Sequence, residues 1–434
     1  MTLAVDGLAR RLEAALGADA VKQETSLIAA YDIDGKQPGL VCFPESSAQV
    51  AAAVGICFEA EAAVTPWGGG TAMQIGNPPQ RVDVVLDLTR LDHVLEHDDD
   101  NLTVTVEAGA RLGRLQQAVA ARKQFLAFEP PCAELATVGG VVATNLNGPR
   151  RSFYGSVRDL VIGMKAVLAS GEEIKAGGKV VKNVAGYDMC KLFVGSLGTL
   201  GILTEATLRM TPIPETAATV VTAGTLPLVR KLDAELSHSK LLPSAVFLLS
   251  PGVSKRDDWT PSDWCLAVCC EGFEISVTRH LQDIEDVAKR VGLSTAILRS
   301  SDHQQFWQEL RDFPVQAGPP VYRVTVPRAL ATMVMETVHG WSSSGFRPAI
   351  VSDTAMGIIW LASDDQQDPK WFVKLIAKAQ EYRGHAVMQA ASADLKAKVD
   401  VWGPPPLTHS LMREIKRQFD PKNLLNPGRF VGGI

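Results

Sequence analysis

Glycine placement constrains this chain more than any other feature. Four glycine-rich clusters sit in the first half of its 434 residues: Gly68–Gly70, Gly139–Gly140 with Gly148, Gly177–Gly178, and Gly195, Gly198 and Gly201 at three-residue spacing. Residues without side chains let backbone N–H groups converge on one anion. Taken singly, each cluster is better read as a tight turn, and Gly177–Gly178 is expected to be only a loop feature. Together they suggest a phosphate-containing ligand held by backbone in an α+β enzyme.

The usual fingerprints of such ligands are missing. The sequence has no G-x-G-x-x-G, so a Rossmann site has no support, and no G-x-x-x-x-G-K-[ST] of the P-loop. G-x-S-x-G and H-E-x-x-H are absent too, which argues against the common hydrolases and metalloproteases. A net charge of -5 with interspersed signs gives no reason to expect a nucleic-acid partner. The opening MTLAVDGLARRLEAALG reads as an amphipathic helix rather than a signal peptide, and the apolar runs are the length of buried strands, so a cytoplasmic protein is expected.

No metal site is expected. Cys265, Cys269 and Cys270 lie in the apolar run CLAVCC and read as buried strand thiols. The acidic run Glu96–Asp100 with His97 reads as a solvated turn. The C-x-x-C-x-x-C of a ferredoxin is absent, so an iron–sulfur cluster would sit on another chain.

Length alone predicts two domains. Residues 41–65 read strand, helix, strand, with Ser46 or Ser47 as the helix cap. NLTVTVEAG alternates with Val104 and Val106 on one face, and VIGMKAVLASGEEIK reads as a hairpin turning at Ser170–Gly171. Pro212 and Pro214 punctuate the end of the first region. Beyond them, ATVVTA, SAVFLLS, WCLAVCC, VYRVTV and GIIWLA read as strands. They alternate with helices over ISVTRHLQDIEDVAKRV, RALATMVMETVHGW and DPKWFVKLIAKAQEY. This pattern suggests an α+β unit with helices over one sheet face.

The order and content of these segments resemble the vanillyl-alcohol oxidase family, whose FAD-binding domain is of the p-cresol methylhydroxylase (PCMH) type. The resemblance implies a two-part FAD-binding domain over 1–214, an α+β cap domain over 215–400, and a 401–434 segment that returns to the FAD domain. PWGGGTA matches the loop around the FAD pyrophosphate, which implies Pro66, Trp67, Gly68, Gly69, Gly70, Thr71, Ala72 and Met73 as its holders. PCAELATVGGVVATN matches a second flavin-contacting segment, with Pro131, Thr137, Val138, Gly139, Gly140, Ala143, Thr144 and Asn145. GSLGTLGILTEATLRM matches a third, in which Gly198, Gly201 and Ile202 close the far side. LNPGRF matches the returning tail, where Arg429 lies near the ring or, equally, on the surface.

Within that family, GPRRSFYGSVRDLVIGMKAVLASGE, KVVKNVAGYDMCKLFVGSLGTLGILTE, VWGPPP and FDPKNLLNPGR are similar to the FAD-binding E subunits of bacterial glycolate oxidase. The similarity implies a complex that oxidises the CH–OH of a small 2-hydroxy acid, glycolate or D-lactate. This chain would relay electrons between a catalytic flavoprotein subunit and an iron–sulfur subunit, in a complex peripheral to the inner membrane. Two departures bear on this. Some relatives attach FAD through a His just after the glycine loop, where Thr71 and Ala72 stand here, so FAD is expected to be noncovalent. Relatives that oxidise hydroxy acids alone carry a metal-binding H-x-G-x-G-N, which is absent, and His385 in HAVMQAA has no neighbouring ligand. A self-sufficient D-2-hydroxy-acid dehydrogenase and an assembly subunit with a structural flavin therefore stay open, and no catalytic residue is assigned.

Other residues carry weaker expectations. Lys182, Asn183, Tyr187, Asp188 and Lys191 border the flavin or a partner, or form a polar loop with Asp188 capping a Met189–Ser196 helix. Arg150–Arg151 read as exposed contacts for phosphate or for a partner's carboxylates. Arg158–Asp159 reads as an ion pair or turn anchor, Cys132 as a plain small residue, and His409 as a surface residue. Trp307, Phe313 and Trp371 read as core, and Trp402 as a packing anchor for the tail.

Overall fold

The computed structural model describes residues 2–179, 187–253, 260, 262–363 and 368–434, with side chains from residue 7 onward. Among these residues three main sheets form. The first has the strands β1 (Val21–Lys22), β2 (Leu40–Cys42), β3 (Val64–Trp67) and β4 (Val84–Asp87) in the order β1-β2-β4-β3. Strands β2, β4 and β3 are parallel. The crossover helix Ser47–Glu59 is capped by Ser46, whose hydroxyl accepts from the Gln49 N–H at 3.3 Å. Val50, Ala53, Val54 and Cys57 form its buried stripe, at the spacing one helix face requires.

The second sheet takes β5 (Val94–Asp98), β6 (Thr103–Glu107), β8 (Val161–Val167), β9 (Glu173–Gly177) and β10 (Ile202–Arg209) in the antiparallel order β5-β6-β10-β8-β9. Between them in sequence, β7 (Gln124–Phe125) pairs with β11 (Thr211–Pro212). Val104 and Val106 are buried as their alternation predicts, and β8–β9 is the expected hairpin. The acidic run departs from expectation. Glu96–Asp98 lies in β5, because pairing with β6 places His97 opposite Val104. His97 is held there by Gln124 at 3.0 Å.

The third sheet contains β12 (Thr216–Gly224), β13 (Ala245–Leu249), β14 (Trp264–Gly272), β15 (Thr295–Arg299), β16 (Val321–Thr325), β17 (Ala349–Asp353), β18 (Ile358–Ala362) and β19 (His385–Ala390). Its order is β15-β12-β14-β13-β17-β18-β16-β19. Four helices, Leu226–Ser237, Glu274–Val291, Ala331–Gly340 and Pro369–Glu381, bury one face. The expectation of helices on one face only is corrected. The helix Ser300–Gln316 lies on the other, because Phe306 and Leu310 pack there against Phe247 and Val351. Trp307 Nε1 also donates to the Thr219 hydroxyl at 2.7 Å. Cys265 and Cys269 face that side and Cys270 the other, all buried in β14.

Arg150 is not the exposed residue its sequence suggests. Its guanidinium donates to Glu129 at 2.9 and 2.7 Å and to Glu271 of β14 at 3.0 Å, tying the first half to the third sheet. Asp159 anchors its turn through a capping box with Ser156, at 2.8 Å to the N–H and 2.7 Å to the hydroxyl. Its neighbour Arg158 donates instead to the Lys191 carbonyl. The Met189–Ser196 helix shortens to Cys190–Phe193, because Gly195 takes a φ of +84°. Asp188 still accepts from the Lys191 N–H at 3.3 Å, Tyr187 is exposed, and Lys182 and Asn183 lie outside the described residues. Among the described residues no helix is long and apolar enough to cross a membrane.

Arg150→Met should cost about 3–5 kcal/mol, because it leaves two partly buried carboxylates without their cation. A lower urea midpoint than wild type, followed by far-UV circular dichroism, checks this.

Candidate functional site

The three glycine-bearing segments meet around a cleft of about 800 Å³. The chain leaves β3 into Gly68–Met73, while the helix Val138–Thr144 starts behind a Thr137 cap, whose hydroxyl accepts from the Gly140 N–H at 3.3 Å. The turn Ser196–Gly201 closes the third side before β10. Pro66 to Met73, Thr137, Gly139, Gly140, Ala143, Thr144, Gly198, Gly201 and Arg429 all line the cleft. Val138 and Ile202 do not, for both are fully buried in apolar cores. Pro131 and Asn145 face a second cavity.

Leu88, Ala108, Ser196, Leu197, Leu203 and Asn426 also line the cleft and were not singled out. Four of these lie inside GSLGTLGILTE or LNPGRF, so the segments carried the signal. Leu88 and Ala108 follow β4 and β6 and carry none of their own.

Two glycines explain how closely the segments approach. A Cβ on Gly69 would collide with the Leu135 carbonyl and press on Arg111, and one on Gly198, at a φ of +69°, would stand 2.6 Å from Pro66 Cγ.

Arg429 is 2% exposed, which overturns its surface reading. Its Nη2 donates to the carbonyls of Met73, at 2.7 Å, and Ile75. Nε and Nη1 are buried without partners. Burial pulls this guanidinium down to about 10, with Asp34 acting the other way. A cation so desolvated needs an anionic or strongly accepting neighbour, and its free edge borders the cleft. Trp402 packs as expected, its Nε1 donating to the Arg429 carbonyl at 3.0 Å. His409 is half-buried against Gly432 rather than on the surface.

The second cavity begins one residue away, since Thr144 lines the cleft and Asn145 the cavity. Its other wall is the third sheet. Alternation along each strand turns Phe247, Arg323, Asp353, Trp360 and Gln389 to one side, opposite Leu248, Val324, Ile359 and Met388 in the core. Arg311 enters from the helix Ser300–Gln316, paired to Asp312 by two 2.9 Å bonds. Asp312 also accepts from the Cys132 N–H at 2.9 Å, so Cys132 is a backbone anchor. Arg151 and Arg323 have no ion pair among the described residues, and Arg323 Nε and Gln389 Oε1 are buried without partners. Burial raises the Asp353 carboxyl to about 7, against N–H donors from Met356 and Ala355 and the charges of Arg151 and Arg328. Among the described residues no group of three or more His, Cys, Asp or Glu is placed to hold a metal ion.

The chain matches the FAD binding domain family over residues 38–177 and the C-terminal domain of FAD linked oxidases over 404–430. It is 30% identical to glycolate oxidase subunit GlcE of Escherichia coli (strain K12), across 79% of this chain and 85% of that one. The chain belongs to the FAD-linked oxidase family. It is also 28% identical to glycolate oxidase subunit GlcD of Bacillus subtilis (strain 168), across 93% of this chain and 92% of that one. Its fold is that of p-cresol methylhydroxylase, with a TM-score of 0.76 over 99% of this chain and 97% of the other, at 20% identity.

FAD is therefore the cofactor of this flavoprotein, and the residues present suit it. The close glycine segments leave backbone exposed along the cleft, and Arg429 offers two unpartnered donors to an electron-rich group. Gly69→Asp should abolish flavin binding, because it adds bulk against the Leu135 carbonyl and negative charge inside the cleft. Far-UV circular dichroism matching wild type, with the flavin absorption bands gone, is the expected pair of spectra.

Proposed function

We propose that this chain is the FAD-binding subunit of a glycolate-type 2-hydroxy-acid oxidase complex. In this reading residues 1–214 and 401–434 hold FAD noncovalently and residues 215–400 form the cap. Electrons pass through it between a catalytic flavoprotein subunit and an iron–sulfur subunit, in a cytoplasmic complex peripheral to the inner membrane. The likeness to GlcE and GlcD supports the complex. Thr71 and Ala72 at the end of the glycine loop support noncovalent binding, since neither is a His that could bond to the flavin.

The observation that carries the 2-hydroxy-acid part is the cationic cavity beside the cleft. Among the described residues, two guanidinium groups without ion-pair partners, Arg151 and Arg323, share this lining with one carboxylate, Asp353. An entering carboxylate would balance that excess, and planar guanidinium groups match its geometry. Gln389 Oε1, buried without a partner, adds a neutral acceptor to the same lining. Phe247, Ile358 and Trp360 narrow the apolar side and exclude water. FAD, when bound, supplies a two-electron acceptor next to this space.

The same cavity favours a second reading, in which this chain oxidises a D-2-hydroxy acid itself. The two readings part in the visible spectrum of the FAD-loaded chain under anaerobic glycolate or D-lactate. Bleaching of the flavin bands selects the self-sufficient reading, and bands that stay oxidised until the partner subunits are added select the relay. Where bleaching occurs, Arg323→Met should raise the substrate concentration for half-maximal bleaching roughly tenfold to a hundredfold, the worth of one charge-assisted hydrogen bond.

A further inference from the structure

We propose that Asp353 accepts the hydroxyl proton of the substrate bound in the second cavity, an assignment that rests on the second reading, in which this chain oxidises the hydroxy acid itself. Asp353 ends β17 on the cavity face, opposite Phe247 of β13 and Ile358 of β18. It is 2% exposed. The Met356 N–H donates to Oδ1 at 3.1 Å and fixes the carboxylate plane. The next residue, Thr354, turns the opposite way to reach Asp233 at 2.9 Å.

The composition of the lining makes the choice. Its polar side chains are Asn145, Asn147, Arg151, Arg311, Arg323, Gln389 and Asp353, with Trp360 beside them. Amides and indole take no proton at neutral pH, and guanidinium groups stay protonated. Among the described residues only Asp353 lines this cavity and can exchange one.

The charged groups around it come from four elements. They are Arg151 from the first half, Arg323 of β16, the Arg311–Asp312 pair of the helix Ser300–Gln316, and Arg328 after β16. A bound carboxylate offsets the arginines, and with them part of the pull that keeps Asp353 ionised, so ligand binding strengthens it as a base.

The step balances as an alcohol oxidation. The carbinol C–H leaves with both electrons as hydride to FAD, the oxidant. The O–H bond breaks, its proton goes to an Asp353 oxygen, and its electron pair forms the C=O of the 2-oxo acid. Asp353 then returns the proton to solvent.

Only the ionised carboxylate can accept the proton. The Asp353 carboxyl is raised to about 7 in the free chain and further by a bound carboxylate, so flavin reduction should speed up as pH rises above that value and then level off. The linked stability runs the other way. A carboxyl raised on folding stabilises the native state while protonated, and that contribution is lost as pH rises through about 7. Asp353→Asn, which cannot ionise, should therefore gain in Tm on wild type between pH 5 and 8.5.

The test uses the FAD-loaded chain under anaerobic D-lactate or glycolate. Asp353→Asn should slow bleaching by about 10²–10⁴-fold, the usual worth of a general base, and remove the pH step. Its dissociation constant for pyruvate should stay within about threefold of wild type, well under one charged hydrogen bond. Titration calorimetry in two buffers adds a readout without turnover. Wild type should take up protons on binding pyruvate near pH 7, and the variant should not. Asp353→Ser repeats the comparison if the amide disturbs the turn.

Equal bleaching rates, or equal proton uptake in wild type and both variants, would overturn the role of Asp353 alone. A wild-type holoprotein that does not bleach would overturn the self-sufficient reading and this assignment with it, whether or not it binds pyruvate.

Discussion

Loops rich in glycine do not hold a shape by themselves, and here buried cations from distant parts of the chain hold it for them. Lys396, with no exposed side-chain area, donates to Asp34 at 2.9 Å and to the Gln74 carbonyl at 2.5 Å. Arg429 takes the Met73 and Ile75 carbonyls on the other side of the same loop. Lys416 reaches the Thr199 carbonyl at 2.8 Å inside the third glycine segment, the Asp420 carboxylate at 2.6 Å, and the Leu425 carbonyl at 2.9 Å. Burial lowers the pKa of both lysines while their aspartates pull the other way. Such groups cost free energy unless their hydrogen bonds are complete, so each is a strong constraint on geometry. The tail that carries two of them also lies beside β3, with Val64 N–H to Leu424 O at 2.8 Å and Asn426 N–H to Val64 O at 2.9 Å. The cleft is thus assembled late in sequence, by residues more than two hundred positions beyond the loops they fix.

Strand alternation does the corresponding work for the second cavity. In β16, Tyr322 and Val324 enter the core while Arg323 faces out, and β17 and β19 repeat this with Asp353 and Gln389. A shift of one residue in any of these strands would turn a polar side chain into the helix-packed core and take it out of the cavity. Packing on one face therefore selects the register that delivers polar groups to the other. The apolar stripe of Ser300–Gln316 covers only part of that outer face, through Phe306 and Leu310. The uncovered remainder is where the arginines meet.

Much of the flavin cleft was legible because its information is local. Glycine runs, a Thr before a small-residue helix, and a Pro-Gly tail each sit within a few residues, and the structure draws them to one place. The exceptions are instructive. Val138 and Ile202 belong to the right segments, yet a helix and a strand each send some side chains away from any surface they form. β15, β17 and β19 escaped notice because TAILR, AIVSD and HAVMQA are short and mix polar with apolar residues, so only their neighbours in the sheet identify them. Arg150 and Arg429 looked like surface residues because the partners that bury them, Glu271 and the Met73 carbonyl, lie over a hundred positions away. The second cavity was invisible for the same reason: its polar groups come from separate strands, a helix and a loop.

The junction between the two spaces is a single helix end. Asn145 closes the Val138–Thr144 helix in the left-handed conformation, with φ of 51°, which turns the chain out of the cleft wall and into the cavity wall. Asn is among the few residues that adopt this conformation at modest cost. Its neighbour Asn147 donates to the Asn145 carbonyl at 2.6 Å and accepts from the Val157 N–H at 2.7 Å, so the turn is held on both sides. Gly195 packs against Asn145, and any side chain there would press on its Cβ. The third glycine segment therefore touches the second at the point where the glycine-lined cleft gives way to the second cavity. The Gly195 N–H also donates to the Val142 carbonyl at 3.0 Å and the Leu197 N–H to the Ala143 carbonyl at 2.8 Å, so several residues tie the third glycine segment to the helix that separates the two spaces.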